Sequence, residues 1–349
     1  MRRVIRGFLA VLLAGLSSCG LPSNPVTPPE ILVTGESGVS GGVALGTSLP
    51  FTGVPVPVSS LAIPPGLSLW GSAAVDNSLV FLVRTTNGQG GFLVAPLPLS
   101  GAPAFVQVSF SSGAGTPWAL APVTSQILAV LMKTSSAPQG CLALFDAATL
   151  VQMTGGGTLS ASQEPPCNAL PGGPGSLAGG FLLPLADGVM FLAGTVTPPS
   201  GSGTNTTTLF LMTQSSVLSG NSITPKSVWT LPVSYGANVP IAGVALPEAV
   251  LLPDPSAPAI DLYQVTTLYE GGGGTLAPLS TTRLDLPAPP TLLAIDPARN
   301  FLLSGSGGTL SLFGLGAVLS PGGTLGSIDS LPSLSGETFQ TMTIYTGSS

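Results

Sequence analysis

Histidine is absent from all 349 residues, which removes the commonest general base and the commonest metal ligand together. Charge is scarce as well. Charged residues make up 6% of the chain, against about a quarter in an ordinary soluble protein. Long apolar runs are also missing. After residue 20 nothing approaches the roughly 18 uninterrupted apolar residues that a membrane-spanning helix needs, even though 44% of the chain is hydrophobic. The runs are cut short by 47 Gly and 36 Pro. A proline inside a helix costs about 3 kcal/mol and a glycine about 1, so a mainly helical fold is excluded. The apolar residues stand in short blocks between clusters of Gly, Pro, Ser and Thr. That is the pattern of buried strands.

Positive charge is the scarcer sign. Three of the eight basic residues (Arg2, Arg3, Arg6) lie in the first six positions. Without them five basic residues face fourteen acidic ones, a net of −9. Phosphate neutralisation supplies most nucleic-acid affinity, so a nucleic-acid partner is not expected.

The N-terminus reads MRRVIRGFLAVLLAGLSSCG. A basic start precedes an apolar stretch, Phe8 to Leu16, too short to span a bilayer as a mature helix. Leu16-Ser17-Ser18-Cys19 then resembles the lipobox of bacterial lipoproteins, a branched apolar residue and two small ones before Cys. The resemblance implies that residues 1–18 are a signal peptide and that Cys19 becomes the acylated first residue of the mature chain. Two or three acyl chains, at roughly 0.8 kcal/mol per buried methylene, hold a protein firmly. The expected location is the cell envelope, on a membrane but not across it, with the domain facing periplasm or exterior. Gly20 after the Cys, in place of Asp, points to the outer membrane if the cell has one. Residues 19–29 contain LPSNPVTPP, a proline-rich and therefore extended tether.

From residue 30 to 349 the chain reads as repeated meanders. Ser78–Thr85 and Gly91–Leu97 form a hairpin across a Gly-containing loop, with Phe105–Phe110 as an outer strand. QILAVLMK pairs with GCLALFD, and LVQM ends that unit as a strand. Gly188–Val196 pairs with Thr207–Gln214, followed by SVWTLP. EAVLLPD precedes AIDLYQVTTLYE, read as one strand, and TTRLDLP. Thr291–Phe313 gives strand, turn at Asp296-Pro297, strand, Gly/Ser hairpin, strand. Central strands recur near Phe81, Val130, Phe191, Leu251 and Leu303, at spacings of 49 to 61 residues. These are propeller-blade lengths with insertions. LLAIDPARNFLLSGSGGTLSLF is similar to the repeat of bacterial YVTN-type propellers, and CLALFDAATLVQM to a unit shared with quinoprotein-like propellers. The implied fold is an all-β propeller of about six four-stranded blades, with seven also compatible. A tail strand near 334–347 would close the ring by pairing with strands in 30–60. Paired β-sandwich domains are the alternative, and an outer-membrane barrel fits the short, Pro-broken runs less well.

Chemistry-bearing groups are few. Cys141 and Cys167 are the candidate disulfide once Cys19 is lipidated. Asp76, Asp146, Asp187, Asp254, Asp261, Asp285 and Asp296 are scattered, form no calcium loop, and are expected to cap turns. Gly155–Gly157, Gly271–Gly274 and Gly305–Gly308 lack the Lys-Ser/Thr of a phosphate loop and read as loop tips. Trp70, Trp118 and Trp229 lie in or beside β runs and read as packing residues. No catalytic residue, metal ligand or cofactor site is expected. The expected role is a protein- or ligand-binding scaffold with an envelope partner. The alternatives are a cation-dependent hydrolase, which the lactonase-like relatives of the YVTN class suggest, and a surface structural protein.

Overall fold

A computed structural model of the chain describes residues 30–36, 43–48, 59–75, 77–97, 106–111, 115–153, 155–160, 163–171, 176–185, 188–199, 203–219, 223–296, 300–320, 322–332 and 338–346. The leader, Cys19, the tether, Asp76, Asp187 and Pro297 lie outside the described residues.

The strands follow the expected meanders. β1 (Glu30–Glu36), β2 (Val43–Ser48) and β3 (Ser59–Ala62) pair in sequence. β4 (Leu67–Val75), β5 (Ser78–Thr85), β6 (Gly90–Pro96) and β7 (Val106–Ser109) form the next sheet. β8 (Thr116–Pro122), β9 (Ile127–Lys133) and β10 (Cys141–Asp146) continue the pattern. β11 (Gly157–Thr158) returns to β7, and β12 (Asn168–Ala169) edges β10. β13 (Gly179–Pro184), β14 (Met190–Thr197), β15 (Thr206–Thr213) and β16 (Ser227–Thr230) make a further sheet. After it come β17 (Val244–Ala245), β18 (Ala249–Asp254) and β19 (Ala259–Gln264). The short β20 (Gly274–Thr275) joins β16, and β21 (Ser280–Leu284) joins β19. β22 (Leu292–Asp296), β23 (Phe301–Ser306) and β24 (Thr309–Gly314) are followed by β25 (Thr324–Leu325), which pairs with β21, and β26 (Asp329–Pro332), which pairs with β24. β27 (Phe339–Thr346) lies antiparallel to β1, with Val33 opposite Thr343.

Five sheets are thus each built round a continuous run of chain, and one is composite, in the order β27-β1-β2-β3. The innermost strands touch in a cycle: β27 meets β4, β4 meets β8, β8 meets β13, β13 meets β17, β17 meets β22, and β22 returns to β27. Sheets radiating from a closed cycle of inner strands are a propeller, so the paired-sandwich alternative is not met. The tail strand closes the ring as expected.

Each sheet has a neighbour on both faces, which explains the unbroken apolar runs. Six consecutive residues of β5, Ser78 to Val83, are buried, as are six of β6, Gly90 to Ala95. Between the second and third sheets Phe92, Phe110 and Phe145 meet at centroid distances of 5.0–5.2 Å. Aromatic contacts of this kind add about 0.5–1.5 kcal/mol beyond area burial.

Two segments expected as strand are helical. Leu150–Gln152 of LVQM belong to α1 (Ala147–Gln152), with Met153 as its C-cap, and the second half of AIDLYQVTTLYE is α3 (Val265–Glu270). α2 (Gln214–Leu218) and α4 (Leu315–Val318) stand at the same place after β15 and β24. Asp146 caps α1, accepting from Ala148 N at 3.2 Å and from Thr149 Oγ1 at 2.9 Å. A six-residue helix has little stability of its own. Burial of Leu150 and Leu268 against the sheets holds α1 and α3 in place.

Two of the glycine runs are joints between sheets and not free loop tips. After α1, Gly156 and Gly157 have φ of +71° and +138°, and β11 then lies parallel to β7 of the preceding sheet. After α3, Gly273 and Gly274 have φ of +101° and +126°, and β20 joins β16 in the same way. A Cβ on Gly273 would stand 2.4 Å from the carbonyl oxygen of Val228. Only glycine fits that approach. β25 repeats the joint against β21. Gly305–Gly308 forms the β23–β24 hairpin, as expected.

Candidate functional site at the mouth of the central channel

The inner strands leave little space between them. One side chain from each sheet region fills the axis: Trp70, Leu120, Leu182, Ile241, Leu292 and Met342. The remaining void is about 60 Å³, room for a few waters and not for a sugar-sized molecule. Its polar lining comes from Ser72, Gln340 and Thr341. Ser72 Oγ lies 2.6 Å from Thr343 Oγ1, and Gln340 Oε1 accepts from Leu69 N at 2.9 Å. Among the described residues no group of three or more His, Cys, Asp or Glu is placed to hold a metal ion.

The built feature lies at one end of this axis. β4 and β8 each carry an irregularity at the same place: register shifts between Leu69 and Gly71, and between Pro117 and Ala119. The extra residue is a tryptophan both times. Bulges re-aim side chains, and these two bring Trp70 and Trp118 together edge to face, centroids 5.1 Å apart and planes at 79°. Arg84, near the end of β5, enters the corner between them. Its Cζ is 3.6 Å from the Trp70 ring centroid and 4.4 Å from that of Trp118. Trp70 Nε1 donates to Ser68 Oγ at 2.9 Å, and Ser68 Oγ donates to the Arg84 carbonyl at 3.0 Å. The Trp70 ring is therefore tied to the β5 backbone at Arg84. Burial lowers the guanidinium pKa to about 10, so Arg84 keeps its charge at neutral pH. Trp70 and Trp118 are only 6% and 5% exposed, as packing residues should be. Their relation to Arg84 was not foreseen. The spacing of each Trp before a small residue in an inner strand was the available signal.

Beside this corner the β5–β6 hairpin and the ends of β8 and β9 enclose a groove of about 600 Å³. Asn87, Gln89, Thr116, Lys133, Thr134 and Ser135 line it. Arg84 immediately precedes that hairpin, and Trp118 follows Thr116 by two residues. Two of the five basic residues outside the leader thus gather at one edge of an otherwise acidic protein.

The remaining candidates are dispersed. Cys141 and Cys167 meet as a disulfide with Cα atoms 5.3 Å apart. Asp254 caps its turn, accepting from Ser256 N at 2.8 Å. Asp261 does not: it is 3% exposed and accepts from Thr281 Oγ1 at 2.6 Å and, at 3.5 Å, from Tyr263 Oη. Desolvation raises its pKa, against the opposing effect of the Thr281 hydrogen bond. Desolvation first, and the nearby Tyr263, Asp261 and Asp254, also raise Tyr235, whose hydroxyl donates to the Pro253 carbonyl at 2.8 Å. Asp296 is fully buried, and Asp285 sits beside the β21–β25 joint through its N–H to Leu325. Trp229 is a packing residue, its Nε1 donating to Ser227 Oγ at 3.1 Å. No described helix is long and apolar enough to cross a membrane.

No protein-family model and no curated protein matches the sequence. Solved structures do. A chain of a nidogen/laminin complex aligns with TM-score 0.55 and 9% identity, covering 91% of this chain and 100% of that one. A periplasmic gluconolactonase of Pseudomonas aeruginosa aligns with TM-score 0.51 and 12% identity over 90% and 99%. A putative 6-phosphogluconolactonase of Bacteroides fragilis aligns with TM-score 0.50 and 13% identity over 93% and 100%. At such identities the likeness establishes the propeller fold alone.

Proposed function

We propose that this chain is an envelope lipoprotein, held to a membrane by lipid on Cys19, whose propeller serves as a binding module for an envelope partner or ligand. We count the ring as six-bladed, with β27 and β1–β3 as one composite blade. The observation that carries the binding role is the division between axis and edge. The axis is filled by apolar side chains from around the ring, Trp70 among them, and leaves about 60 Å³. The edge carries a preformed cation–aromatic corner beside a polar groove ten times larger. A protein that presents its polar groups on a rigid outer face is suited to hold a partner.

The test is photo-crosslinking in intact cells. A crosslinker replacing Asn87 or Ser135 lies on the groove, while one replacing Asn77 or Gln126 lies at the opposite ends of the strands. Capture of one abundant envelope component from the first pair and not the second supports the module. Equal capture from both pairs, or none from either, removes it. The anchor is tested separately with an alkyne fatty acid, whose label should be lost in Cys19→Ala.

A hydrolase is the second reading, favoured by two lactonases among the structural neighbours. Hydrolysis of gluconolactone by the purified protein, with and without added divalent cation, decides it. Turnover above the spontaneous rate replaces the binding reading with the enzymatic one.

A further inference from the structure

Arg84 is a charged group without a charged partner. Among the described residues no carboxylate forms an ion pair with it, and burial is the cause of its lowered pKa. Removing a cation partly from water without an anion is costly. Two indoles offset part of that cost through cation–π contact. The rings approach its Cζ from two directions, their planes at 79° to one another, and no described acceptor takes its N–H donors. A second donor in the same cluster is also unsatisfied: Trp118 Nε1 is buried and has no hydrogen-bond partner. Buried polar atoms without partners are uncommon in folded proteins. Arg84 and Trp118 stand on β5 and β8, the strands whose ends border the polar groove, three residues before Asn87 and two after Thr116.

We propose that Arg84, held between Trp70 and Trp118, is the carboxylate-binding residue of a site for a hydroxylated organic acid such as a uronic acid. The guanidinium fork matches the two oxygens of a carboxylate. Arg84 supplies the planar fork, and Lys133 on the groove adds a second positive charge for the anion. Asn87, Thr116, Thr134 and Ser135 supply the donors and acceptors that sugar hydroxyls require. The site rests on the reading of the propeller as a binding module and gives that module a ligand class.

Two of the three tryptophans belong to the cluster, so the protein's own fluorescence reports occupancy. The full domain is titrated with sodium galacturonate, with galactose as the neutral counterpart and potassium phosphate as the dianion. A saturable fluorescence change with galacturonate, and none with galactose, is expected. Charge-assisted hydrogen bonds contribute enough that Arg84→Met should weaken binding roughly ten- to a hundredfold. Arg84→Lys, which keeps charge and loses the fork, should also bind more weakly than the parent. Trp229→Phe, remote from the cluster, should titrate like the parent. Equal responses to galactose and galacturonate overturn the proposal without any variant being needed. So do preference for phosphate, unchanged affinity in Arg84→Met, or the absence of any saturable change. If the titration fails while the groove still crosslinks to an envelope component, the carboxylate ligand is lost and the binding module stands.

Discussion

Replacing Cys141 and Cys167 together by Ala should destabilise the propeller by about 3.5 kcal/mol. The bridge closes 26 residues, and the chain-entropy relation gives that figure for such a loop at 25 °C. The local geometry adds a second expectation. Cys141 opens β10, and Cys167 adjoins β12, which pairs with β10 through only two residue pairs, Cys141 with Ala169 and Leu142 with Asn168. Two pairs do not hold a strand alone. The loop between the cysteines also contains α1 and β11, the joint onto β7. Loss of the bridge should therefore loosen residues 155–171 before the rest. Urea unfolding followed by tryptophan fluorescence reads the global effect. With a slope of about 3 kcal/mol per molar, the midpoint falls by about 1 M. Reduced parent protein should match the double variant. Limited proteolysis should cut first within 155–171 in the variant and not in the oxidised parent. Equal midpoints for oxidised parent and variant, with the same cleavage pattern, would refute the reasoning.

Three further outcomes follow from single positions. Asp261 has a raised pKa in the fold, so its contribution is fully present below the ordinary carboxylate range and is lost as pH rises through the raised value; Asp261→Asn should gain stability relative to the parent between pH 4 and pH 8 in thermal melts, and a constant difference would contradict this. Gly273→Ala places a Cβ 2.4 Å from the Val228 oxygen at φ +101° and should cost at least ~2 kcal/mol, whereas Gly272→Ala meets open space and should change stability by less than about 0.5 kcal/mol. Asp146→Ala removes both cap hydrogen bonds of α1 and should cost about 1 kcal/mol in chemical denaturation.

Much of the ring was legible because its signal is local and repeated. The paired runs at Phe81, Val130, Phe191, Leu251 and Leu303 all fall in second strands, β5, β9, β14, β18 and β23. The short helices were not legible. VTTLYE has β-branched residues and an aromatic, so its propensity favours strand. Its burial of Val265 and Leu268 against the sheet overrides that preference. The glycine joints were misread because parallel pairing of β11 with β7 depends on a neighbouring sheet, which composition cannot show. The Trp–Arg corner is hidden for the same reason. Trp70 and Trp118 are 48 positions apart, and only two matching bulges bring both rings to Arg84.

The pairing of β27 with β1 has a consequence for the order in which the protein can mature. The two strands are separated by about 300 residues of chain, and loop closure over that length costs on the order of 5 kcal/mol before any contact repays it. Sheets such as β4–β7 or β13–β16 can form from neighbouring sequence as they emerge. The composite sheet cannot, because one of its strands is synthesised after those of every other sheet. Until then Val33 and Thr34 lack the strand on one side, and β4 and β22 lack the inner neighbour they both touch. The ring therefore locks late and all at once, and a chain stopped before Phe339 remains an open arc with two exposed sheet faces.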